Sequence, residues 1–69
     1  MQKGQIVKLN PTLLEDETKK SNYFLYKKII DEDRTGKVIN YENSDYHKGW
    51  WVKFHYAKIL LQPEEVIPE

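Results

Sequence analysis

Ser44, Asp45 and His47 come closest to a catalytic set in this chain, because a hydroxyl, an imidazole and a carboxylate can act as nucleophile, base and orienter. Their spacing argues against that role. Three groups within four consecutive residues cannot converge on a substrate from separate directions, so the stretch reads as a solvated hairpin loop. Asp45, His47 and His55 offer imidazole and carboxylate, the usual zinc ligands, but in no spacing that closes a recognised site and with no further residue placed to orient them. The acidic runs Glu15-Asp16-Glu17 and Asp31-Glu32-Asp33 lack the alternating Asp/Asn ligands of a calcium loop. Gly4, Gly36 and Gly49 stand apart, so no glycine-rich loop presents its amides to a phosphate. The chain has no cysteine, which excludes thiol nucleophiles, thiolate metal sites and disulfides. The expectation is a chain without catalytic residues, metal or cofactor.

What remains is recognition, and it centres on residues 49–56, Gly-Trp-Trp-Val-Lys-Phe-His-Tyr. Side chains of a strand alternate between its faces, so Trp50, Val52, Phe54 and Tyr56 share one side and Trp51, Lys53 and His55 the other. The first side reads as core, and truncating Trp50 should then unfold the domain. The second sets an indole beside a cation and an imidazole, as at protein hot spots and nucleic-acid platforms. Trp51, Lys53, His55 and Lys37 of the preceding strand are the residues expected to meet a partner. In a competing reading, the segment between the first two strands folds over this side and buries Trp51 with Leu25 or Ile29. The neighbouring strand sets either Lys37 and Ile39 or Val38 and Asn40 beside it, and the pattern does not choose.

The elements that must position these residues follow from periodicity and turn chemistry. Gln5-Ile6-Val7-Lys8-Leu9 alternates as a first strand, stopped by Asn10-Pro11, a cap and first-turn pair that starts at most a single helical turn. From Ser21 the period changes. Leu25, Tyr26, Ile29 and Ile30 fall on one side of a helix of about ten residues, with Lys27 and Lys28 opposite. Ser21 or Asn22 can cap it, while three acids at its C-terminus oppose the macrodipole and end it by Asp31. The rival is an irregular insertion pinned by Tyr23, Phe24 and Tyr26. Residues 34–41 are β-branched and aromatic after Gly36, as suits a second strand, and residues 50–56 pair back across a polar loop. Residues 57–62 form a further strand, and Pro63-Glu64-Glu65 makes one helical turn before Val66 and Ile67, which cap the end of the fold or start a last strand.

Sixty-nine residues make one domain, 1–69, with room for a single small core. Eleven basic and eleven acidic residues cancel, which argues against wholesale attraction to nucleic acid or anionic lipid. No run approaches a membrane span or the apolar stretch of a signal peptide. A reducing, cytoplasmic setting fits the absence of cysteine.

Gly-x-x-Val-x-Leu from Gly4, Gly-Lys-Val-Ile from Gly36, Trp-Trp-Val-Lys-Phe from Trp50 and Ile-Leu-Leu-Gln-Pro-Glu-Glu-Val-Ile from Ile59 resemble, in order, the pieces of a Src-homology-3-like small barrel of the bacterial type. The likeness covers about two thirds of the chain. It implies a mainly β barrel of about five strands with a helical insertion between strands 1 and 2, and no functional residue is carried over from it. The reading is a non-catalytic protein-interaction or accessory-subunit module that docks through Trp51, Lys53, His55 and Lys37. The alternative is a nucleic-acid-binding barrel using Trp51, Lys53, Lys37 and Lys58. No membrane partner is expected, and the chain should be a monomer or a weak homodimer formed through an exposed edge.

Overall fold

The computed structural model describes the backbone of residues 1–69 and every side chain except those of Thr18 and Lys19. Its strands are β1 (Ile6–Leu9), β2 (Thr35–Asn43), β3 (Lys48–Lys53), β4 (Lys58–Leu61) and β5 (Val66–Pro68), and its helix is α1 (Tyr23–Asp31). Two 3₁₀ turns, Pro11–Glu15 and Glu17–Asn22, lead into α1, and a third, Pro63–Glu65, precedes β5. All five strands form one antiparallel sheet in the order β4-β3-β2-β1-β5. The fold is thus mainly β with one short helix, and the sheet is open, with β4 and β5 at its margins. Among the described residues no helix is long and apolar enough to cross a membrane.

Alternation does in β1 what it implies: Val7 and Leu9 are buried and Ile6 and Lys8 face outward. The strand ends where Asn10 turns the chain, its side-chain oxygen accepting from the Thr12 amide at 3.1 Å with Pro11 at the first helical position. In α1, Tyr26 and Ile29 are buried and Leu25 and Ile30 pack against the same cluster. Asn22 occupies the cap position but makes no capping bond; its amide instead reaches the Tyr26 hydroxyl at 3.5 Å. The acidic C-terminus is resolved by geometry. Asp33 takes a left-handed φ of 54°, letting the Arg34 amide donate to the Ile29 carbonyl and the Asp33 amide to that of Ile30. Lys8 and Arg34 then neutralise Asp33 and Glu32 at 2.8 and 3.0 Å.

The core lies between one face of the sheet and α1, and gathers Val7, Leu9, Leu13, Tyr26, Ile29, Val38, Val52, Phe54, Ile59, Leu61 and Val66. Both sides of α1's apolar stripe are used here, so the helix does not build a second cluster over Trp51. Three expectations are corrected. β3 stops at Lys53, because Phe54 and Ala57 close a two-residue turn at His55-Tyr56, and alternation continuing into the turn conceals the reversal. Trp50 faces the core side but is only half-buried, packed at its rim against Tyr41 with ring centroids 5.1 Å apart. Tyr56, expected in the core, is 40% exposed. The buried aromatics are Phe54 and Tyr26.

Candidate docking face

Antiparallel partners share a side of the sheet, so the register assembles the outer face directly. Lys37, Lys53 and Lys58 lie in one row across β2, β3 and β4, and Asn40, Trp51 and Leu60 in the next. Neither register alternative from the sequence holds entire. A bulge between Val38 and Asn40 shifts β2 by one residue, so Lys37 and Asn40, one from each alternative, share this face with Trp51.

Trp51 is half-buried and held by three side chains. Its indole N–H donates to Glu42 Oε1 at 2.8 Å, the His47 ring meets it edge-on at 5.9 Å, and Lys58 Nζ stands 5.1 Å from its ring centre. The Trp51 N–H holds the Glu42 carboxyl below the usual carboxylate range, with the Ser44 hydroxyl, which donates to Oε2 at 2.9 Å, and the positive character of His47 and Lys58 adding to it. Ser44 and His47 are thereby committed to the hairpin turn and the indole. Among the described residues no hydrogen bond joins the Ser44 hydroxyl to the His47 ring.

None of Lys37, Lys53 and Lys58 forms an ion pair among the described residues. Directly opposed residues of neighbouring strands have Cα atoms about 4.5–5.5 Å apart, and like charges at that spacing are unfavourable. The row is a cationic strip without ion pairs, and the Glu42 carboxylate lies near its Lys58 end. Beside it, Trp51, Lys58, Ile59 and Leu60 face Leu25 and Tyr26 of α1 across a groove of about 350 Å³.

The structure therefore brings together Trp51, Lys53 and Lys37, and adds Lys58. His55 is not on this face. It sits in the β3–β4 turn, where its ring packs edge-on against Tyr56 at 5.0 Å. Tyr56 in turn donates its hydroxyl to Glu32 and lies under Lys28 and Arg34, 4.4 and 5.4 Å from its ring centre. That hydroxyl, and after it the Arg34 guanidinium, holds the Glu32 carboxyl below its ordinary range. Tyr56 fastens the turn to the end of α1. Sequence reasoning missed Glu42 and His47 as supports of Trp51. Their signal was the two-residue turn Asp45-Tyr46, which fixes the register but lacks the Asn-Gly signature that would announce it.

No protein-family model, no curated protein and no solved structure matches this chain.

Proposed function

We propose that this chain is a non-catalytic protein-interaction or accessory-subunit module, a small Src-homology-3-like barrel that docks on an acidic surface of a protein partner through the outer side of β2, β3 and β4. One observation carries the reading: Lys37, Lys53 and Lys58 stand side by side next to Trp51, and none of them forms an ion pair with an acid among the described residues. An arrangement that costs stability in the free domain is relieved when carboxylates cover it. The barrel element is supported by β5 returning to pair with β1 and by α1 residues sharing the core of the sheet.

A protein partner is favoured over nucleic acid by the surroundings of the indole. Glu42 takes up its N–H and Lys58 covers its ring, which disfavours a stacking base. The test is affinity capture from the protein's own cells with the wild type, Trp51→Ala and Lys53→Glu. A protein held by the wild type and lost by Lys53→Glu is the expected result, whereas equal capture by all three overturns the docking face. Anisotropy titration with a short labelled oligonucleotide is the control. Binding that weakens steeply with salt would replace this reading by the nucleic-acid one.

A further inference from the structure

β4 is an open margin of the sheet, and the direction of its main-chain groups follows from one bond. The Phe54 amide donates to the Ala57 carbonyl at 2.8 Å, so these two residues are a hydrogen-bonded antiparallel pair. Bonded and non-bonded pairs alternate along such a ladder. Ile59 opposite Val52 and Leu61 opposite Trp50 are then bonded to β3, while Lys58 opposite Lys53 and Leu60 opposite Trp51 are not. The N–H and C=O groups of Lys58 and Leu60 thus point away from the sheet, and among the described residues no other element bonds to them. At the far margin, β5 is three residues long and ends in Pro68, which has no N–H to offer.

These outward groups border the groove between β4 and α1. Lys58, Ile59 and Leu60 line it consecutively. Successive side chains point to opposite faces, so it is the main-chain edge that presents all three. Lys58 is the fixed charge of the lining, His47 lies beside it, and no carboxylate lines the groove.

We infer that β4 accepts an extended, acidic segment of a protein partner as a sixth strand. The segment lies between β4 and α1, bonds to the main chain of Lys58 and Leu60, and places a carboxylate against Lys58. This rests on the protein-docking reading and specifies its partner. The outward groups of Lys58 and Leu60 are about 6.6–6.8 Å apart along the strand, the two-residue repeat of an extended chain. The recognised segment therefore carries an acidic residue opposite Lys58 and, two positions away, an apolar one opposite Leu60 and beside Trp51. A second copy of this chain is a poor occupant. Pairing β4 with itself would bring two Lys58 side chains onto one face, each backed by its own Lys53 and Lys37, and would force a second α1 against the first.

The test selects heptapeptides from a random display library on the full chain and follows the amides of the ¹⁵N-labelled protein with each selected peptide. Expected are enriched peptides with an acidic residue and an apolar residue two positions apart, which slow hydrogen exchange at Lys58 and Leu60. Leu60→Pro, which removes an outward N–H and no β3 bond, should weaken them by up to about tenfold. Lys58→Glu should reverse the charge preference, and both variants are first checked for an unchanged fold by their amide spectra. If Leu60→Pro fails to fold, Lys58→Glu carries the test alone. Peptides that shift Lys37 and Lys53 but leave the Lys58 and Leu60 amides exchanging at the free rate would leave the docking face standing and overturn the added strand. No enrichment overturns it, as does protection of these amides that grows with protein concentration alone, the mark of a second copy. Salt-sensitive oligonucleotide binding at the same lysines would overturn both readings.

Discussion

Glu42 shows how one side chain can set the chemistry of a face. Its carboxylate accepts from the Trp51 indole and the Ser44 hydroxyl, and these bonds, made to the charged form, hold it below its ordinary value of 4.5. The folded state therefore binds the Glu42 proton less tightly than the unfolded chain does. The stability this contributes is whole above the ordinary value and is lost as pH falls through the lower folded one. Glu32, held by the Tyr56 hydroxyl and Arg34, acts in the same direction. The urea midpoint is expected to stay level from about pH 7 to about pH 5 and to fall below that, with Glu42→Gln flattening the fall. A Glu42→Gln profile that tracks the wild type below pH 4.5 would show that the indole bond is not formed in solution. The aromatic residues divide by burial at the same scale. Phe54 is 2% exposed and Trp50 only half-buried. Phe54→Ala should cost about 3–5 kcal/mol, most of what a core this small supplies. Trp50→Ala should cost about 1–2 kcal/mol and leave the domain folded. Urea denaturation of the two variants separates these outcomes, and a Trp50→Ala chain that is unfolded in water would return that indole to the core.

At the scale of elements, the strands and helix were legible where periodicity spoke, and the turns opening at Pro11 and Pro63 where proline marked them, but the β3–β4 turn and the bulge in β2 were not. α1 runs over Tyr23–Asp31 because Leu25, Tyr26, Ile29 and Ile30 share one side, and the acidic end after it was equally readable. The β3–β4 turn was hidden because His55 and Tyr56 extend the alternation of the strand before them, and nothing local marks a reversal. Neither residue has a positive φ, so the turn is not of the kind whose twist matches a hairpin. What holds it is tertiary: Tyr56 reaching Glu32, Lys28 and Arg34 some 22 to 28 residues earlier in the chain. The bulge at Ile39 was unreadable for the same reason, and with it the choice of Asn40 as Trp51's neighbour. Gly36 was readable as a strand residue but not as a contact. A Cβ built there would lie 2.7 Å from Val52 Cγ1 and 2.8 Å from the Phe54 ring, both held in the closed core. Gly36→Ala should therefore destabilise by about 1–3 kcal/mol through overpacking. A midpoint equal to the wild type's would mean that β2 and β3 can separate enough to admit a methyl group.

Over the whole molecule, a net charge of zero conceals an uneven distribution. Residues 35–62, which hold β2, β3 and β4, carry four lysines against two acids, and the rest of the chain carries seven basic residues against nine acidic ones. Lys53 is the centre of this asymmetry, with Lys37 on one side and Lys58 on the other. Replacing it by glutamate converts two like-charged cross-strand neighbours into two opposite ones. Each such pair contributes about 0.2–1 kcal/mol, so Lys53→Glu should raise the urea midpoint of the free domain at low salt, and high salt should shrink the gain by screening exposed charges. The same change should abolish docking on an acidic partner. Stability and binding then move in opposite directions at one residue, as expected where a fold retains an unfavourable surface for the sake of what covers it. A Lys53→Glu domain that is less stable than the wild type at low salt would mean that the three ammonium groups already splay apart into solvent. In that case the strip exerts no strain on the free domain, and relief of that strain could not drive association.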